Sequence, residues 1–462
     1  MTQDEALQLL KLGHNTFLTG SAGSGKTYLL NKYIKYLRQH RVGVSVTAST
    51  GLAATHLDGR TIHSWSGIGV HATLTDTDLT ALQRDKRVRK RYQKTRVLII
   101  DEISMLHAFQ LDLVDRVARK MVDPLLPFGG LQVVLCGDFF QLPPVNSANG
   151  NTTGFAFESL AWQQAQFCTC YLHEQHRQGN DPLLRVLNDI RSGTANDDTK
   201  VPLRTRYKKQ PAGAVQATRL FARNVSVDAI NQDELNALAG EESSYYMTKQ
   251  GGTKLTDALI RSCPAPDTLN LKVGAKVMFV KNATDGSYVN GTLGVVESCS
   301  STEEPVIKTF DGNTVVAEAV DWKYEENGSV LASISQVPLK LAWAITVHKS
   351  QGMTLDAAEM DLSDAFEPGM GYVALSRVRA LSGLNLLGLN DIALQVHPEI
   401  LQKDSVFQQL SQKATEELAL LNDDQRDFQQ SATLQKRFGG RLAVAPQKST
   451  STTIRSTTHP NS

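Results

Sequence analysis

Gly20-Ser21-Ala22-Gly23-Ser24-Gly25-Lys26-Thr27 decides the fold, with Asn15-Thr16-Phe17-Leu18-Thr19 before it and Tyr28-Leu29-Leu30-Asn31-Lys32-Tyr33 after it. The first flank reads as a strand and the second has helical spacing. The octapeptide matches the phosphate-loop pattern throughout. Its glycines let successive backbone N–H groups curve around phosphate oxygens, and the start of the helix adds a favourable field. Gly20, Ser21, Ala22, Gly23, Ser24 and Gly25 are therefore expected to cradle a nucleotide's phosphates. Lys26 should reach the β- and γ-phosphates, and the Thr27 hydroxyl should bind Mg²⁺.

Working outward, Val44-Ser45-Val46-Thr47-Ala48, Arg96-Val97-Leu98-Ile99-Ile100 and Leu131-Gln132-Val133-Val134-Leu135 read as further strands separated by helical segments. The run 96–100 is continuously apolar after its first residue, as expected of a strand buried on both faces. Such alternation predicts a mainly parallel α/β sheet covered by helices. Asp101-Glu102 ends that strand, at the sheet edge where the phosphate loop also lies. Asp101 is the natural Mg²⁺ partner, and Glu102 the candidate base that orients and activates water. Gln141, after the next strand, is placed to sense the γ-phosphate or the attacking water. These acids favour hydrolysis over nucleotide storage.

The 462 residues allow two or three domains, and 41% hydrophobic with 21% charged residues is an ordinary globular balance. No stretch approaches the roughly 18 apolar residues of a membrane span. The opening MTQDEALQLL carries acids where a secretion signal is basic, so a cytoplasmic or nucleoid-associated location is expected. A net charge of +1 does not by itself point to nucleic acid, but residues 84–96 hold eight basic side chains and one acid. That run reads either as a solvated helix face or as a flank for phosphates. Cys168, Cys170, His173 and His176 lie within nine residues, yet their spacing is too tight for a familiar zinc framework, and CTCYL reads as a strand. Short β-rich runs with glycine and asparagine turns occupy 271–338. The expected organisation is a first domain over 1–160 with a basic accessory segment near 66–96, a second over 161–400 interrupted by the β-rich insertion at 271–338, and an extension over 401–462 whose last part, rich in Ser and Thr, is disordered.

GSAGSGKT, TASTGLAA, TIHSWSGI, LIIDEISML, GDFFQLPPV, LHEQHRQ, AWAITVHKSQGMTL and GYVALSRVRALSGL follow one another over about 20–383. In that order they resemble the petite-integration-frequency (PIF) helicases, superfamily-one enzymes of the 5′-to-3′ branch related to RecD-like helicases. The resemblance implies two RecA-like motor domains with the ATP site in their cleft, and an SH3-like barrel inserted in the second. It implies that Gln3 recognises adenine, with Gln8 a competitor for that role, and that Arg177 and Arg377 are arginine fingers reaching across the cleft. Thr50, Gly51, His63, Ser64 and Trp65 would lie along the DNA strand on the first domain, and Thr346, His348 and Lys349 on the second, with contacts to phosphates rather than base edges. Ser350, Gln351 and Gly352 would link that DNA-facing loop to the nucleotide. Lys276, Lys281 and Asn290 sit near polar turns of the insertion. The expected cofactors are ATP and Mg²⁺. The expected partners are single-stranded DNA and single-strand/duplex junctions, extending to G-quadruplex DNA and to RNA or RNA–DNA hybrids, with a monomeric motor and no membrane. Two other readings are a translocase that strips proteins from single strands and a nucleotide-gated binding module without turnover.

Overall fold

Val97-Leu98-Ile99-Ile100 is apolar at every position because helices cover both faces of its sheet, and all four side chains are buried. In this computed structural model the described residues are 1–441, apart from 51–53, 55–58, 70, 145–153, 175–180, 211–217, 222–226, 284, 289, 301, 311, 327–328, 348–349 and 352–354. The first lobe is built on β1 (Thr16–Gly20), β2 (Val44–Ala48), β3 (Arg60–Thr61), β4 (Val97–Asp101), β5 (Gln132–Cys136) and β6 (Cys168–Leu172). They pair in parallel in the order β3-β2-β4-β5-β1-β6. The phosphate loop leaves β1 and the acidic pair leaves β4, with only β5 between them. Both therefore open at one carboxyl edge, where open α/β sheets bind ligands.

The sheet does not stop at residue 160. Its edge strand β6 pairs with β1 from Thr16↔Cys168 to Gly20↔Leu172, so the first lobe reaches at least Leu172. A boundary read from composition missed this because β6 follows the helix Leu160–Ala165 without a linker signal.

After the helix Pro182–Arg191 and β7 (Thr218–Phe221), an antiparallel region intervenes: β8 (Ser243–Tyr246), β9 (Thr248–Gly251), β10 (Thr268–Leu271), β11 (Lys276–Phe279), β12 (Leu293–Ser300), β13 (Glu303–Thr309), β14 (Thr314–Val316), β15 (Val320–Glu326), β16 (Ser329–Gln336) and β17 (Leu339–Leu341). One sheet runs β14-β13-β12-β11-β17 and another β15-β16-β9. The insertion is wider than 271–338, because β16 takes its second partner from β9, upstream of the helix Thr253–Ser262. The second lobe resumes with β18 (Ala344–Thr346), β19 (Ala358–Leu362) and β20 (Leu384–Leu389), in the parallel order β18-β7-β19-β20.

The chain then returns. The helix Pro398–Ala419 lies along β6, where the Tyr171 N–H donates to Ser411 Oγ at 3.0 Å and so satisfies an edge-strand donor. Phe407 is buried among Phe17, Phe139, Phe157 and Trp162 of the first lobe. Ala414, Leu418, Leu434 and Phe438 join the apolar cluster formed with the helices Gln3–Lys11 and Lys26–Gln39. The segment expected to be an appendage from 401 onward is thus first-lobe core as far as Phe438. The last part of the extension, expected to be disordered, falls within residues 442–462, which lie outside the described residues.

Candidate functional site

β1 delivers its last residue, Gly20, into a loop whose Gly23 and Gly25 have φ of +86° and +84°. L-residues rarely adopt that backbone, and it turns the N–H groups inward. Gly25 caps the helix Lys26–Gln39 with no side-chain bond, which leaves the helix's first donors free for an anion. Lys26 Nζ donates to the carbonyls of Gly20 at 2.8 Å and Ser21 at 3.1 Å, folding over the cradle. Thr27 is exposed at the second helical position. Gln3 Nε2 donates to the Ser24 carbonyl at 3.3 Å, while Gln8 is held by Gln430 of the returning chain. Of the two candidates for adenine, only Gln3 touches the phosphate loop.

Asp101 and Glu102 stand opposite Lys26. Glu102 has φ +51° and ψ +47°, a left-handed conformation that costs on the order of 1–3 kcal/mol for a residue with a Cβ. The surroundings hold it there: Ser49 Oγ donates to the Glu102 carbonyl at 2.8 Å, and the Glu102 N–H donates to Asp101 Oδ1 at 2.9 Å. Burial raises the Asp101 pKa, opposed by a hydrogen bond from Cys136 and by the Lys26 charge. Burial and the neighbouring Asp101 charge push Glu102 up to about 7, while Arg377, Lys26 and a Gln351 hydrogen bond pull it back.

That last bond crosses the cleft: Gln351 Nε2 donates to Glu102 Oε2 at 2.9 Å. Arg377 comes from the same lobe, at the end of the helix Met370–Arg377. Its guanidinium is buried and donates to the Val373 carbonyl at 3.0 Å and to Ser376 Oγ at 2.7 Å. Ser24 Oγ, Gln141 Oε1 and Gln351 Oε1 are buried with no hydrogen-bond partner among the described residues. Buried polar atoms are nearly always satisfied, so three such atoms on the loops that meet at this cleft fit a polar ligand between the lobes. A hydroxyl and a carboxylate, Thr27 and Asp101, are hard oxygen donors of the kind Mg²⁺ takes beside substrate phosphates. Among the described residues no cluster of three His, Cys, Asp or Glu is placed to hold a metal by itself.

The nucleic-acid candidates divide. Thr50 and His63 are partly exposed and Ser64 is exposed. Burial lowers the His63 pKa, which favours the uncharged imidazole. Trp65 is 3% exposed with its ring 4.6 Å from that of Tyr92, so it packs the accessory helix in place and presents no face to a base. Thr346 is buried at the end of β18. Lys276 is fully buried in β11, 5.5 Å from the Phe310 ring, and burial drops its pKa to about 7. Asn290 is buried too, and Lys281 donates to the Asp321 carbonyl at 2.6 Å. Gly51, Arg177, His348, Lys349 and Gly352 lie outside the described residues. No sequence signal marked Arg191, or the hydroxyl of Tyr372, which the structure brings together with Asp138 beside the phosphate loop.

A model of the PIF1-like helicase family matches residues 3–199, and one of the DNA helicase Pif1 2B domain matches 254–298. The ATP-dependent DNA helicase Pif1 of Psychrobacter sp. is 46% identical over 90% of this chain and 72% of its own length. The crystal structure of Pif1 helicase from Candida albicans, 36% identical, covers 87% of this chain and 98% of that one with a TM-score of 0.74. Bacteroides Pif1 in complex with ADP-AlF3 and single-stranded DNA is 29% identical, covering 88% of this chain and 96% of that one with a TM-score of 0.65. A likeness of this extent runs through both lobes and the cleft between them, and on it the chain belongs to the PIF1-like helicase family, as an ATP-hydrolysing DNA helicase motor.

Proposed function

We propose that this motor moves 5′-to-3′ along single-stranded DNA and opens duplex or folded DNA by closing its two lobes on ATP. The observation that carries the coupling is the Gln351–Glu102 bond, which ties the loop read as DNA-facing to the hydrolytic carboxylate of the first lobe, while the polarity rests on the family resemblance. Lys26 leaves the loop carbonyls for the β- and γ-phosphates, and Gln3 takes the adenine edge. Thr27 and Asp101 would hold Mg²⁺, which neutralises phosphate charge when bound. Arg377 reaches from the second lobe to the γ-phosphoryl oxygens, Arg177 takes the same role on the strength of its motif, and Gln141 orients the water. Glu102 accepts the proton of that water as it attacks. Loss of phosphate removes the anion that drew the arginines in, so closure is lost and the hold on the strand changes.

Thr50, Gly51, His63 and Ser64 hold one phosphate run and His348 with Lys349 the other. The insertion is read as an SH3-like accessory barrel beside the exiting strand, and the motor as a monomer. Folded guanine-rich DNA and RNA–DNA hybrids fall within the substrate range, because backbone contacts tolerate them. Matched 5′-tailed, 3′-tailed and blunt duplexes test the polarity: with ATP, strand release is expected from the 5′-tailed form. Release from the 3′-tailed form alone would reverse the assignment.

The helix Lys86–Lys94 supplies the duplex-side grip in this reading. Val88 and Tyr92 anchor it, Arg91 Nη1 donates to the Ser64 carbonyl at 3.0 Å, and Lys86, Arg87 and Arg89 face solvent. The triple change of Lys86, Arg89 and Lys90 to Ala should lower the salt slope of binding to forked DNA by about two to three units, at roughly 0.9 per phosphate contact. The slope on single strands should not change. Equal slopes for parent and variant on forked DNA would make this helix a solvated face.

A further inference from the structure

Arg191 ends the helix Pro182–Arg191 and is buried, and the hydrolytic cycle assigns it no role. Its Nη1 donates to both carboxylate oxygens of Asp138 at 2.8 Å and to the Tyr372 hydroxyl at 3.1 Å. Its Nη2 and Nε donate to the Tyr171 hydroxyl at 2.9 and 3.3 Å, and its guanidinium lies 4.2 Å from the centre of the Phe140 ring. The Tyr372 hydroxyl donates in turn to Asp138 Oδ2 at 3.2 Å and accepts from the Ala22 N–H of the phosphate loop at 3.3 Å. Asp404 of the returning helix adds a carboxylate 3.8 Å from Nη2. Burial opposes the guanidinium charge, but Asp138, the two tyrosines and Asp404 outweigh it.

The cluster spans the cleft. Ala22, Asp138 and Tyr171 belong to the first lobe, whereas Arg191 and Tyr372 belong to helices of the second. Tyr372 and Arg377 share the helix Met370–Arg377, every residue of which is buried. At about 1.5 Å of rise per residue, the five-residue step from Tyr372 to Arg377 spans roughly 7–8 Å, about 1.4 turns of a rigid rod. A rod pinned at Tyr372 against a phosphate-loop amide and against Asp138 has its far end fixed as well. One guanidinium holds Asp138 and the Tyr372 hydroxyl through Nη1 and the Tyr171 hydroxyl through Nη2 and Nε, a planar spread of donors that a lysine ammonium does not match.

We infer that Asp138, Arg191 and Tyr372 form a positioning device that sets where the Arg377 finger stands relative to the phosphate loop. The device rests on the reading of Arg377 as a finger. Apart from the Ala22 N–H it reaches the nucleotide through Arg377, so its loss should fall on the transition state and leave ADP affinity in place.

The test is turnover of the full chain on 5′-tailed DNA for Tyr372→Phe, which keeps the ring and removes the hydroxyl, for Arg377→Ala, and for the double variant. In Tyr372→Phe, kcat should fall about ten- to a hundredfold, the scale of an ångström's misplacement, with KM for ATP within about twofold. Affinity for ADP with aluminium fluoride should fall by a similar factor, while affinity for ADP alone should not fall. In the Arg377→Ala background, adding Tyr372→Phe should cost nothing further, because both changes act through one group. Arg191→Lys should reproduce the same split; if that variant does not fold, Tyr372→Phe decides. Normal turnover in Tyr372→Phe, losses that multiply in the double variant, or a parallel loss of ADP affinity would each overturn the device while leaving the finger in place. Normal turnover in Arg377→Ala would overturn the finger and the device together.

Discussion

Replacing Glu102 by Gln lowers the DNA-stimulated kcat for ATP by roughly 10³-fold, within the range expected for removing a general base, while nucleotide binding persists. The amide has the volume of the carboxylate and its oxygen still accepts from Gln351, so the cross-cleft bond, 2.9 Å in the parent, can survive. What disappears is the capacity to take a proton from water. Phosphate release at saturating 5′-tailed DNA, read beside ATP-dependent strand binding by fluorescence anisotropy, separates the two. Turnover near that of the parent would remove Glu102 from the mechanism. Its raised pKa adds a direction: with burial and Asp101 pushing it to about 7, the carboxyl is protonated and idle below that pH. kcat/KM for ATP should therefore climb as pH rises through the neutral range, and the residual activity of the Gln variant should lack that limb.

The second large effect concerns stability. Phe407→Ala should destabilise the full chain by about 3–5 kcal/mol, the usual range for a buried phenylalanine that leaves a cavity. The ring is 4% exposed and lies 4.9 Å from Phe17, 5.9 Å from Phe157, 6.1 Å from Phe139 and 6.2 Å from Trp162. Such a loss is a large part of the roughly 5–15 kcal/mol by which folded domains exceed their unfolded states. Urea unfolding followed by tryptophan emission reads it, since Trp162 borders the cavity. A shift below about 0.5 kcal/mol, the size of an ordinary surface change, would show that the returning helix is not part of the first lobe's core.

What could be read from the chain beforehand was what local chemistry encodes. The phosphate loop, the Asp101-Glu102 exit and the parallel α/β alternation follow from spacing of a few residues and from the run 97–100, whose every side chain is apolar. Gln3 could be preferred over Gln8 only once the Gln430 partner of Gln8 was visible, 422 positions away in the chain. Trp65 shows the opposite failure. An aromatic residue in a DNA-facing motif reads equally as a stacking platform or as packing, and a tyrosine 27 residues later, in the basic helix, decides for packing. Arg191 was illegible for the same reason: its carboxylate partner lies on another lobe, and charge pairing across a fold leaves no periodicity. The boundary at 160 failed because no linker separates the helix Leu160–Ala165 from β6, and the one at 401 failed because β6 and the helix that covers it are separated by the whole second lobe.

That separation bears on how the molecule is made. The wall that closes the first lobe, Pro398 to Phe438, is synthesised after the second lobe and its insertion. On the ribosome the nucleotide-binding half would wait with β6 uncovered and the Phe17–Trp162 pocket open, while the other half was already able to condense. Chaperones that shield apolar surface would find their target in the part of the chain that emerged first, and maturation would run from the second lobe back to the first.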